Sequence, residues 1–311
     1  MHELLSVAAS IRSLVNLLYA ALGSPPIRHL ESTLIQSPHS QLSEHHAEAV
    51  VTNYEPITQA EFAKKSWQPN SNFFFASKDI VCPLGASELP RAMMSIPLAF
   101  LCNEGEYSVA GILGLVPESN FYLTTSGKWS GKYIPASYRG YPFILANNGK
   151  NKEELILCID TDSDLLIDGD SAEPFFDNDG QLSPITESVM EFLSSVASGY
   201  KASNRICKVL LEHDLFTPWE LELKIDIGPK RIEGLFCINE AAFKELSDEA
   251  HAELRLAGAM PVIYCQLLSM QNISSLVQIA KAKSKLDLAA QSEELNLDGV
   301  SSDGNISFDN Y

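Results

Sequence analysis

The sequence lacks the short motifs that mark common nucleotide-dependent enzymes and serine hydrolases. It contains no G-x-x-x-x-G-K-[S/T] phosphate loop, no G-x-G-x-x-G fingerprint and no G-x-S-x-G nucleophile elbow. The nearest text, GKWSG at residues 127–131, has the wrong spacing around its serine. No other pattern specifies a reaction, so we expect no cofactor and favour a non-catalytic protein over an enzyme.

Metal-binding patterns are also missing. The six cysteines lie far apart without a C-x-x-C pair, which is typical of small buried thiols in a reducing compartment. The acidic run DTDSD at 160–164 fails as a calcium loop, because Leu165 and Ser171 stand where an EF-hand needs Gly and Glu. The adjacent His45 and His46 have no Cys-rich or His-rich neighbour. We therefore predict no metal site.

Positive charge is scarce, since 22 Lys and Arg residues stand against 40 Asp and Glu residues, a formal net charge of −18. Such a chain repels nucleic-acid phosphates and anionic membrane surfaces, so we expect no nucleic-acid partner. Long apolar runs are missing too. The amphipathic text at residues 3–22 carries Arg12 near its middle and lacks a basic start. We expect no stable membrane insertion and a cytoplasmic location.

The remaining text predicts one main domain with a segment on either side. Residues 1–50 hold one amphipathic helical pattern and then polar text, which predicts a poorly ordered extension. Residues 283–311 are rich in Ser, Asp and Asn, which predicts a disordered acidic tail. The globular pattern occupies residues 51–282 between them.

Short apolar strands and a few helices follow one another in this domain without regular βαβ order. Residues 108–116 and 154–160 are apolar runs typical of buried strands. Ser183 and Pro184 form a helix-start signal, and a helical period then continues to about Glu212 with a potential break at Gly199.

The C-terminal part of the domain changes period twice. Residues 219–227 alternate apolar and charged side chains, which predicts a strand with one solvent-exposed face. GPKR at residues 228–231 would then turn the chain, so that residues 232–238 pair with this strand as a hairpin. Helical text returns, with Gly258 as a cap and Pro261 opening the last helix. These patterns predict an α+β fold with a mixed, mainly antiparallel sheet and C-terminal helices.

Aromatic residues form only 9% of the chain, yet WSGKYIPASYRGYPFIL at residues 129–145 concentrates them beside prolines and two cations. Arg139 is able to bind a carboxylate through two parallel hydrogen bonds, and Trp129, Tyr133 and Tyr141 are able to stack on a flat ligand. The alternative is that these rings fill the core while Arg139 satisfies carbonyl groups or a buried acid.

A second candidate is ASELPRAMMSIP at residues 86–97, where Glu88 and Arg91 lie three residues apart and can pair on one helical turn. The pair is either a weak surface contact or a polar clamp beside a pocket. An enzymatic hypothesis would instead use carboxylates such as Glu88, Asp160 or Glu240. The candidate ligand-binding residues are Trp129, Tyr133, Arg139, Tyr141, Glu88 and Arg91.

Several blocks, in this order, resemble the bacterial SapC family over about residues 53–279. They are CPLGASELPRAMMSIPLAF, AGILGL, NFYLTTSGKWSGKYIPASYRGYPFIL, LCID, PFFDNDGQLSP, GLFCINEAAFKEL, LRLAGAMPVIYCQLLSM and QNISSL. Two positions depart from the family pattern. Asn239 stands where the family usually has Asp, and Gln266 stands where it often has His.

The resemblance implies an association with bacterial surface (S-) layer systems and supplies neither a reaction nor catalytic residues. It implies surface-layer or export components as partners and the cell surface as a location. The resemblance also implies that family members often accompany flavin-dependent halogenase-like and outer-membrane receptor proteins. That alternative implies a cytosolic accessory protein that binds a small aromatic or carboxylate ligand, or a peptide.

Overall fold

The computed structural model describes residues 53–148, 151–225, 228–283 and 285, so the extension predicted for residues 1–50 and nearly all of the tail predicted for residues 283–311 lie outside the described residues. The strands are β1 (Tyr54–Pro56), β2 (Lys65–Trp67), β3 (Val81–Pro83), β4 (Leu98–Asn103), β5 (Glu106–Ile112), β6 (Phe143–Asn148), β7 (Asn151–Asp160), β8 (Leu166–Asp168), β9 (Glu173–Pro174), β10 (Phe216–Pro218), β11 (Leu221–Ile225), β12 (Gly228–Ile232) and β13 (Leu235–Ile238). The helices are α1 (Gln59–Phe62), α2 (Leu89–Ala92), α3 (Ala136–Gly140), α4 (Pro184–Glu212), α5 (Glu240–Lys244), α6 (Asp248–Leu256), α7 (Ala259–Ser269) and α8 (272–283).

An antiparallel five-stranded sheet with the order β10-β13-β4-β5-β3 runs through the larger hydrophobic core. Leu98, Ala99, Phe100 and Leu101 of β4 are all buried, although successive side chains of a strand point to opposite faces. Both faces of this sheet are therefore covered. The run predicted as a strand at residues 108–116 is the C-terminal half of β5 and ends earlier, at Ile112.

Two smaller antiparallel sheets, β1-β7-β6 and β8-β2-β9, surround a second core. Four buried aromatic residues, Phe62, Trp67, Phe143 and Phe175, belong to this core, and Phe143 meets both Trp67 and Phe175 edge to face. The strand predicted at residues 154–160 is the C-terminal part of β7. With its antiparallel sheets and C-terminal helices, the structure confirms the predicted α+β class.

Helix α4 joins the two cores. It begins as predicted, because Pro184 opens it and the Ser183 hydroxyl accepts a hydrogen bond from Thr186 N–H. The N-terminal half of α4 packs in the second core through Leu193, and its C-terminal half packs in the larger core through Leu210. The helix continues without a break through Gly199.

Gly199 does not break the helix. Its missing side chain allows another backbone segment to approach α4 closely. The Ala86 N–H donates to the Gly199 carbonyl at 3.2 Å, and Ser203 Oγ donates to the Leu84 carbonyl at 3.4 Å. A Cβ placed on Gly85 would lie 3.1 Å from the Gly199 carbonyl carbon. The loop before α2 is thus held directly on the α4 backbone, and this contact places Glu88.

Two predictions for the C-terminal part of the domain are wrong. GPKR belongs to strand β12, which pairs with β11 so that Leu221 faces Ile232 and Ile225 faces Gly228. Pro229 is tolerated because this is a two-stranded sheet, in which each strand has an edge that needs no donor. The segment predicted to pair with β11 is instead β13, which lies between β10 and β4. The predicted last helix is divided into α7 and α8.

Candidate functional site

A cavity of about 390 Å³ lies between α4, α3 and the segment that follows β2. This volume falls within the range typical of small-molecule sites. Its lining is mainly aromatic and aliphatic: Trp67, Pro69, Asn70, Phe73, Tyr138, Arg139, Gly140, Tyr141, Phe143, Ile185, Ser188, Val189 and Phe192. The α4 members recur at helical spacing, so one face of the helix forms a wall of the cavity.

Arg139 is the one charged residue in the lining just described. It stands near the C-terminal end of α3. This short helix approaches α4 so closely that a Cβ on Gly140 would lie 2.7 Å from a Leu193 methyl carbon. The guanidinium carbon of Arg139 lies 5.0 Å from the centre of the Phe192 ring. No carboxylate among the described residues forms an ion pair with Arg139. Within the part of the chain that the structure describes, the cavity therefore presents a cation without an acidic partner on an apolar wall.

The position of Arg139 is fixed by the segment just before α3. Its Nε donates to the Ile134 carbonyl at 3.2 Å, and its Nη2 makes a longer contact of 3.4 Å with the Tyr133 hydroxyl. The Tyr133 hydroxyl donates its own proton to Glu88 Oε1 at 2.8 Å. Its lone pairs are consequently free to accept from the guanidinium.

Glu88 is 7% exposed and anchors this arrangement from inside the protein. Its Oε1 also accepts from the Ala136 N–H at 2.7 Å, and its Oε2 accepts from the Gly85 N–H at 2.9 Å. The N-cap of α3 is Pro135, whose side chain makes no capping hydrogen bond. Glu88 therefore provides the acceptor that the first turn of α3 otherwise lacks.

The expected Glu88–Arg91 pair does not form among the described residues. Arg91 is exposed on α2, whereas the Glu88 carboxylate points inward to its three donors. The three hydrogen bonds that Glu88 accepts in the interior compensate for the loss of water around its carboxylate. A single pair with an exposed guanidinium would not compensate for that loss. Arg91 contributes nothing to the cavity lining.

Trp129 supports the same segment without lining the cavity. Its indole Nε1 donates to the Tyr133 carbonyl at 2.8 Å, and its ring stacks on Tyr122 with centroids 5.2 Å apart. Of the six candidates, Arg139 and Tyr141 line the cavity, Tyr133 and Glu88 hold Arg139, and Trp129 holds Tyr133. Trp129 thus fits the interpretation that the rings pack inside the protein, and ligand binding by Arg139 and Tyr141 stays a prediction.

Two tyrosines on either side of Arg139 donate to carboxylates, one to the half-buried Asp79 and the other to the buried Asp160. The Tyr138 hydroxyl donates to Asp79 Oδ2 at 2.6 Å, and the Tyr141 hydroxyl donates to Asp160 Oδ2 at 3.3 Å. Tyr141 also stacks on Phe75 with centroids 3.9 Å apart, and it precedes a cis peptide bond to Pro142. Burial raises the pKa of Asp79, a shift that the Tyr138 hydrogen bond opposes, and burial also raises the pKa of Asp160.

The raised pKa of Asp79 predicts a pH-dependent stability. The folded protein holds this proton more tightly than the unfolded chain, so the wild type loses stability as pH rises from about 3.9 through the folded pKa. Asp79→Asn can still accept from Tyr138 but does not ionise. We expect its melting temperature, relative to wild type, to increase between about pH 4 and pH 7. The exposed Asp170→Asn serves as control, and a difference for Asp79→Asn that does not vary with pH would count against the assignment.

The carboxylates of the enzymatic hypothesis do not meet in the cavity. Glu88 and Asp160 have separate partners, and Glu240 is exposed on α5, where it pairs with Lys244 at 3.6 Å. None of the three lines the cavity. Burial also raises the pKa of Tyr138 and Tyr141 above the ordinary value, so both phenols stay protonated at neutral pH.

Sequence reasoning did not identify the α4 wall or the residues after β2. The spacing of Ile185, Val189 and Phe192 does indicate one apolar helical face, because these residues lie four and seven positions apart. Nothing in the text around Trp67 or Asn70 indicates that β2 lies beside α3. That proximity follows from the contact of Trp67 with Phe143, whose strand begins shortly after α3.

The SapC family model matches residues 57–276, which is more than half of the 311-residue chain. The matched range contains the whole cavity lining and the Glu88 network. Comparisons with curated proteins and with solved structures gave no match. Within the described ranges, every helix is too short or too polar to cross a lipid bilayer.

The two residues expected to depart from the family pattern, Asn239 and Gln266, have structural roles here. The Gln266 side chain is fully buried, accepting from the Ile238 N–H at 3.1 Å and donating to the Leu98 carbonyl at 3.2 Å. Asn239 caps α5 by accepting from the Ala242 N–H. Both amides lie outside the cavity lining. Because the family model matches residues 57–276, the chain belongs to the SapC family.

Proposed function

We propose that this SapC-family chain is a non-catalytic binding protein for a small organic anion with an aromatic or similarly compact apolar body. One observation carries the proposal: Arg139, without an acidic partner among the described residues, stands on the wall of an otherwise uncharged aromatic cavity. A charge-assisted hydrogen bond to a guanidinium is about twice as strong as a neutral one. The aromatic wall supplies the apolar area that such a ligand would bury.

The lining supports binding more than catalysis. Among its described members there is no His, Cys, Lys, Asp or Glu, which are the groups most often used as general acids and bases. Ser188 is exposed and donates its hydroxyl proton to the Pro184 carbonyl. No described neighbour in the lining is suited to activate it as a nucleophile.

Calorimetric titration with benzoate, phenylacetate and hydrocinnamate tests the proposal. We expect at least one of these acids to bind with a Kd of about 1 mM or tighter. Arg139→Leu should weaken that binding by about tenfold or more, because it removes the charge-assisted hydrogen bonds. Arg91→Leu is the matched control, since Arg91 is also exposed on a short helix but lies outside the lining.

Two results would overturn the proposed function. One is that none of the three acids binds the wild type; the other is that Arg139→Leu binds as tightly as the Arg91→Leu control. A folded state confirmed by circular dichroism for both variants keeps these outcomes interpretable.

The family resemblance implies two settings for this binding function: S-layer and export systems at the cell surface, or the cytosol beside halogenase-like and outer-membrane receptor proteins. We propose the cytosolic accessory role, because a cavity for one small anion fits an accessory binding protein better than a structural lattice subunit. Cell fractionation decides between the settings. Recovery of the protein in the surface-layer fraction would contradict the cytosolic role.

A further inference from the structure

We infer that the cavity selects monocarboxylates and that Glu88 and Tyr133 set this selectivity by determining which edge of Arg139 a ligand can reach. The inference rests on the proposed function and adds to it a ligand class and two positioning residues. It excludes phosphate esters and dicarboxylates from the class of preferred ligands.

The first step concerns the side edge of the guanidinium, formed by Nε and Nη2. The Ile134 carbonyl accepts from Nε, and the Tyr133 hydroxyl lies against Nη2, so the protein itself occupies this edge. One face of the group lies toward the Phe192 ring. What remains for a ligand is the end fork of Nη1 and Nη2, which matches the two oxygens of one planar carboxylate.

The second step concerns charge. Arg139 is the only charged member of the described lining, and the chain as a whole is strongly acidic. A dicarboxylate or a phosphate monoester would bring a second negative charge, for which the described lining offers no second cation beside Arg139. Burying an unpaired charge beside apolar side chains is unfavourable. A monocarboxylate leaves no such charge.

The third step is that Glu88 holds the Tyr133 hydroxyl in its place. Because the hydroxyl donates to Glu88 Oε1, its lone pairs and not its proton face Arg139. The same carboxylate oxygen accepts from Ala136 N–H and so also fixes the first turn of the helix that carries Arg139. Glu88 therefore acts on Arg139 along two routes, although it does not line the cavity itself.

Four probes with the same ring separate these contributions in calorimetric titrations at about pH 8, where a phosphate monoester is a dianion. Phenylacetate has one carboxylate, phenylacetamide has no charge, phenylmalonate adds a second carboxylate, and phenyl phosphate carries a tetrahedral dianion. We expect wild type to bind phenylacetate about tenfold more tightly than each of the other three.

Tyr133→Phe frees Nη2 on the side edge of Arg139, although the Ile134 carbonyl still accepts from Nε, and should reduce the preference for phenylacetate over phenyl phosphate at least about threefold, with the affinity for phenylacetamide unchanged. Glu88→Leu, which removes the acceptor of the Tyr133 hydroxyl, should act in the same direction, whereas Glu88→Gln, whose amide oxygen can still accept from Tyr133 and Ala136, should keep the wild-type preference. The control is Tyr122→Phe, which removes a hydroxyl bonded to the Ser95 carbonyl, away from Arg139. A purely structural role of Tyr133 would instead weaken all four probes together.

The outcomes are distinguishable from a failure of the proposed function. If the wild type binds none of the monocarboxylates, the proposed function is wrong. If phenylacetate binds but phenylmalonate or phenyl phosphate binds as tightly, only the selectivity inference is wrong. If the selectivity of Tyr133→Phe equals that of the wild type, the role assigned to Tyr133 and Glu88 is wrong.

Discussion

Glu88→Leu is expected to lower the free energy of unfolding by about 3 kcal/mol, since it leaves the buried N–H groups of Gly85 and Ala136 without acceptors at about 1–3 kcal/mol each. Leucine has a similar volume, so cavity formation adds little. Replacing both members of a buried polar pair by apolar residues is often neutral, but here only the acceptor is removed. Urea denaturation measures the loss as a lower midpoint.

Glu88→Gln is the matched variant for this prediction. Its amide oxygen can still accept from Tyr133 and Ala136, while the hydrogen bond to Gly85 is lost, so a smaller decrease of about 1 kcal/mol follows. A Glu88→Leu protein as stable as wild type would show that the two N–H groups find other acceptors. That result would contradict the anchoring role assigned to Glu88.

Gly85→Ala is expected to lower the free energy of unfolding by about 2 kcal/mol, because its Cβ has nowhere to move. It would lie 3.1 Å from Gly199 C, 3.2 Å from Gly199 Cα and 3.3 Å from Tyr200 N, all backbone atoms of α4. The loop would have to move away from the helix, and Glu88 would move with it. We therefore expect weaker phenylacetate binding as well as lower stability.

Gly199→Ala, on the other side of the same contact, should behave differently. Its Cβ would meet Ser87 Oγ at 3.1 Å, which can rotate away, and Gly85 Cα at an ordinary 3.5 Å. Alanine gains up to about 1 kcal/mol of helix propensity over glycine. The variant should be as stable as wild type or slightly more stable in thermal unfolding. Equal destabilisation by the two substitutions would contradict the description of this crossing.

Local sequence signals were sufficient where structure depends on neighbouring residues. Ser183 and Pro184 predict the start of α4, because the cap and the fixed proline backbone act within one turn. The hairpin prediction was wrong because GPKR has the composition of a turn, yet its pairing partner decides its conformation. Which strands lie side by side depends on contacts that no short stretch of text contains.

The candidate site was predictable to the same limited degree. The aromatic stretch drew attention to Arg139 and Tyr141, and both line the cavity. The sequence spacing of Glu88 and Arg91 suggested a local pair, but the partners of Glu88 include Ala136, 48 residues away. A contact over that distance overrides the weak attraction between exposed neighbours on one helical turn.

A crystal structure of the protein with phenylacetate bound tests the central claim most directly. We expect the two carboxylate oxygens to lie within hydrogen-bond distance of Arg139 Nη1 and Nη2, and the ring to pack against Val189 and Phe192. The contacts of Arg139 with Ile134 and Tyr133 should persist. A ligand bound elsewhere, or one in the cavity with its carboxylate directed away from Arg139, would contradict the account.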